Sequence, residues 1–345
     1  MRYKFYTNSS KAWDGIFAAI RTARKSIYIE MYIFLADTAQ THDFIGKLTE
    51  KAKAGVSVVV IADAYGSLAL KSAAVAELKA AGGEFIYFSH WLKRMHRKLV
   101  IVDEEFAFIG GVNIENKIRN WVDLQIKLKG PIIRPFLRSF ARTYQKCGGK
   151  NKEILAYSRE LLVRKIKSWV VDNWELDDKE YNIKHYYRIK LEQAHEHIQI
   201  VTPYIMPPRW LMASLDMAVR RGVRVDIIYP EDTDIKSLNR LNHINACRLA
   251  EVGVNFYCTP QMNHAKVMII DEHEALVGSQ NLDLLSFGPN LEIGVFFRQK
   301  EAVSALIKIV GQWQTEAKRP DLNAKKMSLK TRLLMIFFRI FFPFF

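Results

Sequence analysis

Short apolar runs alternate with stretches of helical periodicity along the first part of the chain. Residues 26–34, rich in β-branched and aromatic side chains, predict a strand, and residues 43–54 a helix. Residues 56–62 predict a second strand, 73–81 a helix, and 85–88 a third strand. Near-continuous apolar runs of this length suit strands buried on both faces, and their alternation with helices predicts an α/β sheet. The later part of the chain repeats the pattern: 198–204 answers 27–33, 222–229 answers 55–62, and 253–257 answers 82–86. The chain therefore reads as a two-fold internal repeat, with a period too long for a solenoid.

The pattern breaks in two places. Gly148-Gly149-Lys150-Asn151 ends a helix expected at 136–146, and 153–174, rich in Arg, Lys, Leu and Trp, is expected to be a connecting helix packed by Trp169 and Trp174. From residue 325 the chain carries five basic and no acidic residues, and six of its last nine residues are Phe. Its apolar part falls short of the roughly 20 residues that span a bilayer, and Arg339 interrupts it. An interfacial anchor lying in the membrane plane is the expectation. The expected division is a first domain at 1–150, a linker at 151–175, a second domain at 176–320 and a basic, aromatic tail at 321–345.

A length of 345 residues fits two domains. The formal charge of +15 calls for an anionic partner: a lipid surface, a phosphorylated substrate or nucleic acid. The three cysteines, Cys147, Cys247 and Cys258, have no Cys-x-x-Cys spacing, which argues against a disulfide framework or a zinc knuckle and fits a reducing cytosol. The first residues hold no apolar segment of signal-peptide length.

One pattern stands out because both halves carry it with every spacing kept. His96, Lys98, Asp103, Gly110, Gly111 and Asn113 recur as His264, Lys266, Asp271, Gly278, Ser279 and Asn281. His96 and Lys98 are two apart at the start of an apolar run, so on a strand they point the same way. Asp103 has the opposite parity and sits by the Glu104-Glu105 turn, which gives it a supporting role, and Asp271 matches it. A lone His at a strand end is more often structural than catalytic, but two copies at equal spacing reverse that reading. If the repeats face each other, one imidazole serves as nucleophile and the other as general acid. Asp123 and Glu292, downstream of each motif, are candidates to orient the rings. Lys98 and Lys266, helped by Asn113 and Asn281, would neutralise the charge that grows on phosphoryl oxygens. The glycines and Ser279 read as close backbone approach at a strand end. Lysines beside the histidines oppose a divalent cation, and no phosphate-binding glycine loop is present, so neither metal nor cofactor is expected.

These residues resemble the phospholipase D superfamily, whose defining motif is His-x-Lys-x4-Asp twice per chain. Within it the sequence is similar to the bacterial cardiolipin synthases, especially a short kind without N-terminal transmembrane helices. The likeness runs through Ile29-Glu30-Met31-Tyr32-Ile33-Phe34, Met95-His96-Arg97-Lys98, Gly110-Gly111-Val112-Asn113, Gly130-Pro131, Thr202-Pro203-Tyr204, Arg221-Gly222-Val223 and Gly278-Ser279-Gln280-Asn281-Leu282-Asp283. Leu285 departs from it, since many membrane-spanning members carry Arg there. The resemblance implies two α/β/α sandwich domains related by pseudo-two-fold symmetry, with one shared site and a phosphohistidine intermediate. It makes His96, Lys98, Asp103, His264, Lys266 and Asp271 the catalytic set, with His96 as nucleophile and His264 protonating the departing alcohol. Phosphatidyl transfer from phosphatidylglycerol to make cardiolipin is expected, by a peripheral enzyme on the cytoplasmic face of a bacterial inner membrane. The alternatives are a phosphodiesterase or nuclease of the same superfamily, which needs no apolar tail, and an idle membrane-binding module, against which both complete motifs argue. No nucleic-acid partner is expected.

Overall fold

The computed structural model describes residues 1–159, 168–173 and 182–322. The first repeat runs β1 (Arg2–Asn8), α1 (Ser9–Thr22), β2 (Ser26–Met31), α2 (Phe44–Lys53), β3 (Ser57–Asp63), α3 (Ser72–Ala80), β4 (Glu84–Phe88), β5 (Lys98–Val102), β6 (Phe106–Gly110), β7 (Val122–Lys129) and α4 (Ile133–Lys146). Its sheet has the order β1-β7-β6-β5-β2-β3-β4. β2, β3 and β4 are parallel, joined through α2 and α3, whereas β5, β6, β7 and β1 extend the sheet by antiparallel pairing.

After the short α5 (Lys152–Ser158) come β8 (Ser168–Asp172), α6 (Ile183–Gln193), β9 (His197–Val201), β10 (Ile205–Met206), α7 (Arg209–Arg220), β11 (Arg224–Pro230), α8 (Lys236–Ala250), β12 (Asn255–Thr259), β13 (Val267–Ile270), β14 (Glu274–Gly278), β15 (Leu282–Asp283), β16 (Ile293–Phe297) and α9 (Lys300–Glu316). The second sheet, β12-β11-β9-β13-β14-β16-β8, matches the first strand for strand, while β10 and β15 pair separately. The expected two-fold repeat of α/β/α sandwiches is therefore the fold. Local chemistry repeats as well. Gly55 and Gly222, at φ 83° and 89°, end α2 and α7 in the left-handed conformation that suits glycine, and the chain turns at once into β3 and β11.

The connecting helix expected at 153–174 does not extend that far. Among the described residues α5 is its helical part, and Ser168–Asp172 pairs antiparallel with β16 as the counterpart of β1. A Trp-Val-Val core suits a strand more than a helix, because its β-branched side chains lose rotamers in a helix. The second repeat thus begins at β8, ahead of position 176. Trp169 packs on Phe296 and Tyr186. Trp174 and the apolar part of the expected tail lie outside the described residues.

Three apolar clusters hold the layers together. α1, α2 and α3 cover the outer face of the first sheet, and α6 and α7 with part of α8 cover the outer face of the second. The third cluster lies between the sheets, where Phe136, Phe140 and Tyr144 of α4 and Leu306, Val310 and Trp313 of α9 pack with inward residues of both sheets. β5 shows how this is divided: Leu99 and Ile101 enter the shared cluster, and Val100 and Val102 face the outer one.

Candidate active site

The strands that carry the repeated motif start where the halves meet. Met95 makes a parallel bridge with Leu291, and Val122 makes one with Asn263. His96 N donates to Leu291 O at 3.0 Å, and His264 N donates to Val122 O at 2.7 Å. Each histidine backbone is thereby hydrogen-bonded to the other repeat.

The side chains cross in the same way. His96 Nδ1 lies 2.9 Å from Glu292 Oε1 and 3.1 Å from Oε2, while His264 Nδ1 lies 2.9 Å from Asp123 Oδ2. An ionised carboxylate only accepts, so Nδ1 carries the hydrogen and Nε2 is the reactive nitrogen. Both carboxylates are fully buried. They share the ring-orienting task between halves, although each follows the motif of its own half in sequence.

Lys98 and Lys266 are buried next to the rings, each donating Nζ to the carbonyl of its own histidine, at 2.7 Å from His96 O and 2.5 Å from His264 O. Burial is the main force on all of these groups. It pushes the Lys98 ammonium down to about 7 and Lys266 down to about 8, the two lysines opposing each other's charge at Lys98. It lowers His96, against the pull of Glu292 and with the help of Lys98. It takes His264 well below its ordinary value, with both lysines adding to the effect. Asp123 is raised to about 7 by burial, against the attraction of Lys266. A phosphodiester anion is the charge that would relieve the two buried ammonium groups.

The halves are not equivalent in detail. Ser279 donates Oγ to Glu292 Oε2, and Ser286 donates Oγ to Oε1 at 2.9 Å, so Glu292 is saturated. Asp123 accepts Leu124 N at 2.7 Å besides its histidine. At Gly111, the counterpart of Ser279, a Cβ would lie 2.1 Å from Asp123 Oδ1, so only glycine fits. Asn281 is anchored by its N–H donating to Ser286 Oγ at 3.0 Å, and its buried Oδ1 has no hydrogen-bond partner. Asn113 is held within its own repeat, its Oδ1 accepting Ile33 N at 3.4 Å and its carbonyl accepting Trp13 Nε1 at 2.8 Å.

Asp103 and Asp271 are not brought to the imidazoles. They sit at the far ends of β5 and β13, where Asp103 accepts the backbone N–H of Arg24, Lys25 and Ser26, and Asp271 those of His195, Glu196 and His197. Both open turns in the left-handed region, at φ 53° and 50°, where Asp is among the better tolerated residues. Their geometry is that of turn and loop anchors. Residues without a signal in the repeated motif complete the cleft: Ser286 behind Glu292, Tyr32 edge-on to His96 with ring centroids 4.8 Å apart, and Trp121 at 5.5 Å from the His264 ring. Asp63 accepts Met95 N at 2.8 Å and so fixes the residue before His96.

Comparison with known proteins agrees with this architecture. The family described as "Cardiolipin synthase, PLD-like domain" matches twice, at residues 16–142 and 187–313. A cardiolipin synthase of Geobacillus sp. (strain WCH70) is 29% identical over 87% of this chain and 64% of its own length. One of Clostridium perfringens (strain SM101) is 30% identical over 87% of this chain and 67% of its own length. The chain thus spans about two thirds of these relatives. The crystal structure of a phosphatidylserine synthase of Haemophilus influenzae superposes with a TM-score of 0.79, covering 99% of this chain and 94% of that one at 16% identity, which shows a shared fold. With the domain present in both halves and the histidines of both meeting in one cleft, the chain belongs to the PLD-like cardiolipin synthase domain family.

Proposed function

We propose that the protein is a phosphatidyltransferase that makes cardiolipin from phosphatidylglycerol through a phosphohistidine. The crosswise pair of carboxylate-held histidines flanked by two buried lysines carries this reading. His96 Nε2 attacks the phosphorus of one phosphatidylglycerol, and the bond to the glycerol oxygen breaks as that oxygen takes a proton from the His264–Asp123 pair. The glycerol leaves. A hydroxyl of a second phosphatidylglycerol then loses its proton to His264 and attacks, the P–N bond breaks, and cardiolipin departs with His96 neutral again.

The two assignments rest on the unequal carboxylates. Glu292, saturated by two serine hydroxyls, suits a fixed anion that holds a neutral nucleophile. Asp123, raised to about 7, lets the other dyad hold a proton near neutral pH. Lys98 and Lys266 meet the negative charge on the phosphoryl oxygens. No metal, cofactor or nucleic acid enters this scheme. The enzyme would work as a peripheral protein on the cytoplasmic face of a bacterial inner membrane. Among the described residues no helix is long and apolar enough to cross a membrane.

Lipid extracts of cells before and after expression test the reaction: a new cardiolipin band is expected, and its absence with an active, folded protein overturns the transfer. The His264→Ala variant should accumulate labelled phosphohistidine from a substrate with a good leaving group, whereas His96→Ala should not. Label retained by His96→Ala reverses the roles.

A further inference from the structure

We propose that the loops after β3 and β4 form a patch that docks on an anionic bilayer and sets His96 at its surface, an inference that rests on the lipid-substrate reading. Three large side chains are mostly exposed there: Leu68 is 80% exposed, Trp91 73% and Tyr65 57%. Grouped exposure of large apolar and aromatic side chains marks interaction surfaces in soluble proteins. Lys71 and Lys93 lie in the same two loops, and neither 64–76 nor 89–102 contains an Asp or Glu. Apolar and aromatic tips accompanied by lysines suit a surface with an apolar interior and anionic headgroups.

The patch is built as one unit. Arg94 of the second loop stacks its guanidinium 4.8 Å over the ring of Tyr65 in the first. Asp63 Oδ1 accepts Tyr65 N at 3.0 Å and Gly66 N at 2.9 Å, while its Oδ2 takes Met95 N. The fully buried Ser67 accepts nothing from solvent: its Oγ accepts Phe34 N at 3.0 Å and donates to Tyr32 O at 3.2 Å. One carboxylate therefore shapes the exposed loop and fixes the residue before the catalytic imidazole, and Ser67 of that loop holds the carbonyl of Tyr32, whose ring meets it. The corresponding loop of the second repeat is acidic, with Glu231, Asp232 and Asp234, so only one side of the cleft is made for anionic headgroups. A phosphatidyl group arriving from a bilayer would reach His96 first.

The full-length protein is tested with phosphatidylglycerol vesicles carrying bromine in their acyl chains. The difference in fluorescence quenching between the native protein and Trp91→Phe should report residue 91 in contact with the chains, and phosphatidylcholine vesicles should give none. The Leu68→Ser/Trp91→Ser variant should turn over vesicle phosphatidylglycerol about tenfold more slowly and water-soluble short-chain phosphatidylglycerol at the native rate. A vesicle rate equal to native, equal quenching by both lipids, or loss of quenching to single-stranded DNA in place of vesicles overturns the proposal. So does an equal fall on both substrates, which would make the patch part of the site or the fold. Quenching by phosphatidylglycerol vesicles with no turnover of either substrate upholds the docking surface and overturns the transferase reading instead.

Discussion

Asp103 and Asp271 are fixed in spacing relative to the histidines, yet each serves a turn at the opposite end of its strand. Parity along the strand separated them from the His-Lys pair in the sequence, but their three backbone partners come from the segment before β2 or β9, which no local pattern joins to them. Asp103→Ala should therefore cost about 2–4 kcal/mol of stability, through lost charge-assisted hydrogen bonds and a left-handed alanine. Denaturant melts would show it, with turnover per folded molecule near native at low temperature; a stable variant with no turnover would make the aspartate catalytic after all. The lysines and histidines predict the pH profile of kcat/KM for a soluble substrate. Protonated His96 cannot attack, and its lowered pKa puts the acid limb below the ordinary imidazole value of 6.5. Neutral lysines no longer stabilise the phosphoryl oxygens, so with Lys98 near 7 and Lys266 near 8 the rate should fall through that range as pH rises. A rate still level above about pH 9, near the ordinary lysine range, would remove the lysines from the chemistry.

At the scale of elements, periodicity located β2, α2, β3, α3 and β4 to within a few residues, since apolar runs and amphipathic stretches report burial directly. It missed β8, where five residues between a basic and an acidic segment form a strand only because β16 offers an edge. It also gave no reason for Arg97, between His96 and Lys98. Arg97 has the parity of Leu99 and enters the core fully buried, where it meets Glu30 of β2, Ser139 and Thr143 of α4, and Asp172 of β8. The register of the second repeat puts Ala265 and Val201 at the places of Arg97 and Glu30. The fold thus tolerates an apolar pair there. Arg97→Met alone should destabilise by about 3–5 kcal/mol, because it leaves buried carboxylates uncompensated. Arg97→Met with Glu30→Leu should recover part of that in denaturant melts, and a double variant no better than the single one would mean that Asp172 alone accounts for the loss.

At the scale of the whole molecule, the duplicated spacing made the existence of one composite site legible, and Asp123 and Glu292 were visible as carboxylates downstream of it. What the linear pattern concealed is that each ring is held by the other half, because that exchange depends on how two sheets face across a shared core. Nitrogen-15 spectra of the histidines should show it: Asp123→Ala should remove the Nδ1–H tautomer of His264, in the second half, and leave that of His96 in the first. A change confined to His96 would contradict the exchange. The shared core also bears on how the chain is made. α4 leaves the ribosome about 170 residues before the end of α9, which supplies Val310 and Trp313 to cover it. At ordinary rates of synthesis that is roughly 10–30 s during which a finished first sheet shows an apolar face to the cytosol. During the same interval His96 has no Glu292 and no His264, so under the proposed mechanism a nascent first half carries a complete motif that would stay chemically silent until translation has passed both residues.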